Sequence, residues 1–169
     1  MTGESMRWIF SAGGPLVLIP TGVQSRWQGT GGVPSDYDTA CGVDGYVGVI
    51  EKDRCPLLVL GDEPLQTGIA SLDGRPCLVR WVYAPSLDAA ESSLAAMMPV
   101  HLRGPLESVA FRVVSSPLIL MDAGAPGENP GDNLELEMDP GLYSVQVYDF
   151  TPAQDTKFLV HEFKRQVST

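Results

Sequence analysis

Short runs of apolar residues, each closed by glycine, proline, asparagine or aspartate, recur along the chain. Runs of this length between turn residues are typical of β-strands. Residues 6–10 and 16–19 flank a reversal at residues 11–14, where two glycines permit the positive backbone angles of a tight turn. This pattern predicts an opening hairpin. Residues 46–50 and 57–60, with the polar stretch 51–54 between them, predict a second one.

Strands are also predicted after residue 100, and one of them shows strict alternation. Residues 134–138 read Leu-Glu-Leu-Glu-Met, which gives a strand one dry and one wet face. The following Asp139-Pro140-Gly141 is a turn sequence. We therefore expect Tyr143, Val145 and Val147 to pack on the same core as Leu134, Leu136 and Met138. The predicted strands of this region are residues 109–114, 118–121, 134–138, 142–150 and 158–163.

One strong helix is predicted, at about residues 87–98. Ser86 is a suitable N-cap, Asp88 lies in the first turn and Pro99 follows the end. Leu87, Ala90, Leu94, Met97 and Met98 recur at helical spacing. A weaker pattern at residues 22–28 allows a short helix. The predicted fold is α+β, mostly antiparallel β-sheet, as two packed sheets or one strongly curved sheet with one main helix, in a single domain spanning residues 1–169.

A strand at residues 78–83 follows a turn at residues 73–76 and carries one unusual residue. Val79, Trp81 and Tyr83 share one face, whereas Leu78 and Val82 share the other with Arg80. Because Arg80 is the charged member of an apolar face, we expect it to face solvent or an acidic partner.

Composition narrows the classes of function. The 169 residues carry 21 acids against 11 bases, a formal net charge of −10. This charge repels nucleic-acid backbones and anionic membranes and favours a basic partner, although it also keeps ordinary domains soluble. No apolar run approaches the ~20 residues of a membrane helix, and no signal peptide is recognisable. Cys41, Cys55 and Cys77 form no CxxC pair, which fits a reducing cytoplasm better than a disulfide framework.

The residues that usually carry catalysis are sparse. His101 and His161 belong to no nucleophile or metal-ligand motif, and His161, in an apolar strand, is read as a packed or edge histidine. The glycine-rich residues 29–32 lack the Gly-Lys-Ser/Thr ending of a phosphate loop. We therefore predict a protein that binds another protein, with no catalytic residues, no metal site and no cofactor.

Two groups of acids are the candidate contacts for a basic partner. In the first group, two acids flank the Tyr37 ring, an amphipathic side chain of a type that is frequent in interfaces. The same group includes a second acidic pair at residues 62 and 63. The other group lies in a Gly/Pro-rich loop at residues 124–133, which we expect to be exposed. In each group the acids have a plain structural alternative, as solvated turn residues or caps of backbone N–H groups. The candidates are Asp36, Tyr37, Asp38, Asp62 and Glu63, and then Glu128 and Asp132.

An ordered series of motifs resembles the immunity protein 21 family of bacterial polymorphic toxin systems. The motifs cover most of the chain in the right order, although each alone is no more than a strand and a turn. They are SAGGPLVLIP at residues 11–20, SDYDTAC at 35–41, LVLGDEP at 58–64, LVRWVYA at 78–84, LILMDAG at 118–124 and PGLYSV at 140–145.

The resemblance implies a cytoplasmic antidote that binds a cognate toxin and has no catalytic residues of its own. The acidity would then suit a basic toxin domain such as a nuclease, whose cleft the antidote would occlude. The rival hypothesis is an enzyme or small-ligand-binding protein with a site near Asp62, Glu63 and Trp81. It requires a deep polar pocket on which these acids converge.

Overall fold

Two antiparallel sheets form the protein. The computed structural model describes residues 5–61 and 65–167. The six-stranded sheet has the order β1-β5-β6-β11-β10-β7 and the five-stranded sheet the order β3-β4-β2-β8-β9. The strands are β1 Trp8–Ile9, β2 Leu16–Pro20, β3 Val47–Lys52, β4 Cys55–Leu60, β5 Thr67–Leu72, β6 Arg75–Tyr83, β7 Glu107–Val113, β8 Leu118–Asp122, β9 Asn133–Leu136, β10 Gly141–Ala153 and β11 Thr156–Arg165.

The inner faces of both sheets enclose one shared apolar core, as the alternation of the strands requires. Leu134, Leu136 and Met138 come from the five-stranded side and pack in the same cluster as Tyr143, Val145 and Val147 of β10. The prediction of a common core for these six residues is therefore confirmed. The predicted α+β class with mostly antiparallel sheet is also confirmed, in its two-sheet form.

Helices cover the outer faces of the two sheets. Three helices occur in the described residues: α1 Thr21–Gln24, α2 Asp36–Cys41 and α3 Leu87–Ala95, and a 3-10 turn Pro99–His101 follows α3. Ala90, Leu94 and Met97 pack on the outer face of the six-stranded sheet. The outer face of the five-stranded sheet packs against Trp27 and Ala40 from the segment that contains α1 and α2.

The main helix matches its prediction at its start but not at its end. The Ser86 side chain accepts a hydrogen bond from the Ala89 N–H at 3.1 Å, so the predicted N-cap is confirmed. The helix ends at Ala95 rather than Met98. Leu87 and Met98, both expected on the buried face, are about half exposed, because they lie at and beyond the ends of the helix.

The predicted opening hairpin is wrong. β1 pairs with β5 in one sheet, whereas β2 lies between β4 and β8 in the other. All five residues of β2 are buried. β4 and β8 take up the main-chain hydrogen bonds on both edges of β2, which leaves no edge on which β1 could pair as a hairpin partner. The hairpin of β3 and β4, predicted in the same way, is confirmed.

Arg80 does not face solvent, so that part of its prediction is wrong. Arg80 is 1% exposed and lies on the inner face of β6. Its Nη1 donates a hydrogen bond to the Gly61 carbonyl at 2.8 Å. A buried guanidinium must be hydrogen-bonded to offset its lost hydration. Arg80 therefore anchors the end of β4 to the six-stranded sheet.

Candidate functional site

The charges of the protein are divided unevenly between the two sheets. We call residues 15–61 and 116–139, which build the five-stranded sheet and the segments on its outer face, the acidic half. It contains eleven acids and three bases, whereas the other described residues contain seven acids and eight bases. Among the described residues, the net negative charge thus belongs to one side of the sandwich. The acids are Asp36, Asp38, Asp44, Glu51, Asp53, Asp122, Glu128, Asp132, Glu135, Glu137 and Asp139.

Asp36 is engaged within the protein. Its Oδ1 lies 3.0 Å from Lys52 Nζ, and its Oδ2 accepts a hydrogen bond from the Gln28 N–H at 2.8 Å. Both side chains of the ion pair are less than a quarter exposed. Asp36 therefore holds the glycine-rich loop and strand β3 against the start of α2, as the structural alternative for this acid proposes.

Asp38 combines a structural role with exposure. It forms a capping box with Ser35: the Ser35 hydroxyl accepts from the Asp38 N–H at 3.0 Å, and the Asp38 carboxylate accepts from the Ser35 N–H at 3.2 Å. Asp38 is nevertheless an exposed residue. Its carboxylate is thus fixed in position and open to solvent.

The Tyr37 ring faces inward and joins three segments. A Cβ on Gly14 would lie 2.5 Å from Tyr37 Oη, and one on Gly124 would lie 3.6 Å from the ring. A hydrogen bond with the Cys41 side chain, together with partial burial, raises the pKa of Tyr37. The neutral ring therefore packs α2 onto the chain before β2 and after β8.

The second group of acids lies on a loop with a fixed base and an exposed tip. The Gly127 N–H donates to the Trp27 carbonyl at 2.7 Å, and Gln24 Nε2 donates to the Gly127 carbonyl at 2.9 Å. Gly127 is buried, while Glu128 and Asp132 are exposed as predicted. Neither acid forms an ion pair or hydrogen bond with another described residue.

Two acids in and just after β9 extend this exposed acidic surface, although they were not predicted as contacts from the sequence. Glu135 is the cross-strand partner of Ile119, whose side chain belongs to the outer cluster of the five-stranded sheet. Cross-strand partners share a face, so Glu135 points outward. Glu137 follows at the same alternation, and both are exposed. The Leu-Glu-Leu-Glu-Met pattern contained this signal.

Asp62 and Glu63 lie outside the described residues. The third member of the rival site, Trp81, is half-buried in an aromatic cluster, with its ring centroid 5.3 Å from Trp8 and 6.4 Å from Phe158. A groove of about 530 Å³ lies elsewhere, between the end of β9 and the start of β10, and Trp81 does not line it.

The two histidines occupy ordinary structural positions. His161 is fully buried, which confirms that it is packed; burial, and then the nearby Arg80 charge, lower its pKa to about 3, against a smaller opposing effect of the Tyr46 main chain. His101 Nδ1 accepts from the Met98 N–H at 3.0 Å and its ring stacks on Phe150. Within residues 5–61 and 65–167 no three His, Cys, Asp or Glu residues cluster in a way that could hold a metal.

All three cysteines are free thiols, Cys41 exposed and the others buried, and burial raises the pKa of Cys77 to about 12. Among the described residues, no helix has the length and apolar character needed to cross a membrane.

Comparison with known proteins identifies the family. The search of curated proteins found no match, and neither did the search of solved structures. Residues 7–156 match the family model described as Immunity protein 21, which is most of the 169-residue chain. The chain therefore belongs to the Immunity protein 21 family.

Proposed function

We propose that this immunity protein binds and neutralises a cognate bacterial toxin by covering a basic surface of the toxin, such as a nuclease cleft, with its acidic half. The observation that carries the proposal is the charge division between the sheets, eleven acids against three bases on one side. In this proposal the protein acts in the cytoplasm of the producing cell, as an inhibitor rather than an enzyme.

Exposed carboxylates without an ionic partner are the first candidates for the contact. Because Glu128, Asp132 and Glu135 have no ion pair among the described residues, a basic partner can pair with them without breaking internal bonds. Such charges steer a cationic partner and accelerate its association, and salt screens this effect. Asp38 adds a carboxylate that its capping box holds in place.

The remaining candidates act differently within this proposal. Asp36 and Tyr37 position α2 and its neighbours, so they support the contact surface from below rather than touch the toxin. Asp62 and Glu63 stay as candidate contacts next to Gly61, the last described residue of that segment.

A calorimetric titration against the toxin encoded beside this gene, followed by hydrogen exchange on the complex, tests the proposal. We expect a saturable complex, loss of toxin activity, and slowed exchange in residues 35–46 and 122–137. Absence of a complex would overturn the function. A complex whose protection is confined to α3 and the six-stranded sheet would overturn the proposed surface.

A further inference from the structure

A groove of about 530 Å³ opens where the chain passes from β9 in one sheet to β10 in the other. We call it the β9–β10 groove. Met138, Tyr143 and Phe163 give it an apolar lining, and the two rings meet edge to face with centroids 6.4 Å apart. All three side chains are less than a tenth exposed and belong to the shared core. The lining is therefore a fixed surface, continuous with the packed interior.

The rim of the groove is also held in place. Tyr143 Oη donates to the Asp139 carbonyl at 2.7 Å, and Arg165 Nη2 donates to the Pro140 carbonyl at 2.8 Å. The Met138 N–H donates to Ser116 Oγ at 3.1 Å. Hydrogen bonds from β10, β11 and the loop before β8 thus hold residues 138–140 in place. The groove therefore exists before any ligand enters. A preformed pocket loses little conformational entropy on binding.

The charges on the rim are not equally available. Arg165 lies 3.4 Å from the Asp139 carboxylate, and Arg75 lies 3.8 Å from Glu162. Glu137 is exposed and has no ion pair or hydrogen bond with another described residue. Glu162 also lies 3.6 Å from Lys164, so the rim as a whole is not negative. Among the charged lining residues only Glu137 has no ion pair within the described part of the chain, and this carboxylate favours a cation at its end of the groove.

We propose that the β9–β10 groove receives an aromatic side chain, tyrosine or tryptophan, that stands next to a lysine or arginine in the cognate toxin. The inference rests on the proposed function and extends it to an anchor point. The groove has room for one such ring. Glu137, which belongs to the acidic half, lines the groove, so a ring in the groove brings a neighbouring cation to this carboxylate. Buried aromatic anchors ringed by polar contacts dominate the binding energy of many interfaces.

Two probes with the same ring and opposite charge test the groove in the protein alone. Tyramine carries an ammonium, and 3-(4-hydroxyphenyl)propionate carries a carboxylate. In NMR titrations we expect tyramine to shift the Met138 and Tyr143 signals saturably, with a dissociation constant of about 1–10 mM, as befits a fragment of this size. The propionate should bind several-fold more weakly. No saturable shift, or tighter binding of the propionate, would overturn the inference.

A matched pair of variants isolates the rim charge. Glu137→Gln should reduce the preference for tyramine about threefold, the effect of one exposed ion pair. Asp149→Asn removes the same charge from the other sheet, where Asp149 pairs with Lys157, and should leave the preference unchanged. Equal effects of the two variants would show that only net charge matters and would overturn the assignment of Glu137.

NMR measurements on the complex with the toxin distinguish failure of this inference from failure of the proposed function. We expect the toxin to shift the Met138 and Tyr143 signals, and tyramine to compete with it. A toxin that binds while these signals stay unchanged leaves the proposed function standing and overturns the inference. A toxin that does not bind removes both. Dimerisation that tyramine blocks would assign the groove to a second copy of this chain and also overturn the inference.

Discussion

Both carboxylate oxygens of Glu107 accept a hydrogen bond from the main-chain N–H of Tyr46, at 3.1 and 3.0 Å. Glu107 begins β7, an edge strand of the six-stranded sheet, and Tyr46 precedes β3, an edge strand of the other sheet. Glu107 Oε2 also accepts from the Val47 N–H at 3.3 Å. This carboxylate therefore joins the two sheets along one side of the sandwich, where β3 and β7 are edge strands of different sheets.

Replacing Glu107 should destabilise the protein more than its partial exposure implies. Glu107→Ala leaves the N–H groups of Tyr46 and Val47 without their acceptor, so we expect the free energy of unfolding to fall by about 1–3 kcal/mol. Glu107→Gln keeps an acceptor oxygen and should cost less. Urea denaturation measures both. Ser108→Ala, at an exposed position on the opposite face of β7, is the control and should change little.

Gly127 lies where no side chain fits. A Cβ at this position would overlap the Gln24 carbonyl oxygen, a main-chain atom that cannot move alone. Gly127→Ala should therefore lower the free energy of unfolding by at least about 1–3 kcal/mol, the range for overpacked sites. Gly22→Ala is the matched control, because a Cβ there meets nothing within 4 Å and the residue is helical. Equal unfolding midpoints for the two variants would contradict the packing of the loop onto α1.

Local sequence patterns predicted the strands and the main helix better than they predicted which strands pair with each other. The alternation in β9 and the Ser86 cap are encoded within a few residues, and both were confirmed. The partners of β1 and β2 depend on contacts with residues 40 to 106 positions away, which no local pattern specifies. The six-residue helix α2 was missed because its short capped segment has no apolar periodicity to mark it.

The candidate contact residues could likewise be predicted only in part, because their tertiary contacts are not visible in the local sequence. Sequence reasoning identified Asp36 and Asp38 as acids that could contact a partner, and it also named their capping alternative. Only the tertiary structure separates Asp36, whose oxygens are occupied, from Glu128, whose oxygens are not. A ring such as Tyr37, flanked by two acids, gives no local indication that it packs inward against two glycines.

Two variants of the α2 capping box can distinguish the effect of its hydrogen bonds on stability from the effect of the Asp38 charge. Ser35→Ala removes the acceptor for the Asp38 N–H and should cost about 1 kcal/mol of stability. Asp38→Asn keeps an acceptor oxygen for the Ser35 N–H and should cost less than Ser35→Ala while removing a negative charge. Thermal unfolding of the two variants makes the comparison. A larger loss from Asp38→Asn would show that the charge itself stabilises α2.

Buried His161 should make stability depend on pH. Its pKa is about 3 in the folded protein, against about 6.5 in an unfolded chain, so the unfolded chain binds an extra proton between these values. Stability is therefore full above about pH 6.5 and falls as the pH is lowered, by up to about 1.4 kcal/mol per unit. Urea denaturation at several pH values between about 7.5 and 5.5 should show the free energy of unfolding falling with this slope.

His161→Leu is expected to flatten the slope, since it removes the titrating group. Val145→Ala, a cavity variant in the shared core, should lower stability by a similar amount at every pH in the window. The assignment to His161 would be wrong if the slope survived in His161→Leu.

The uneven division of charge predicts which acids control association with a toxin. Asp38→Asn, Glu128→Gln, Asp132→Asn and Glu135→Gln together change the formal net charge of the whole protein from −10 to −6, and all four lie on the acidic half. Asp73→Asn, Asp88→Asn, Asp149→Asn and Asp155→Asn make the same change on the other half. We expect the first set to slow association about tenfold at low salt and the second to have a much smaller effect. Because mobile ions screen both sets, stopped-flow rates for the two variants should converge as ionic strength rises. Equal slowing at low salt would mean that net charge, rather than the acidic half, guides the encounter.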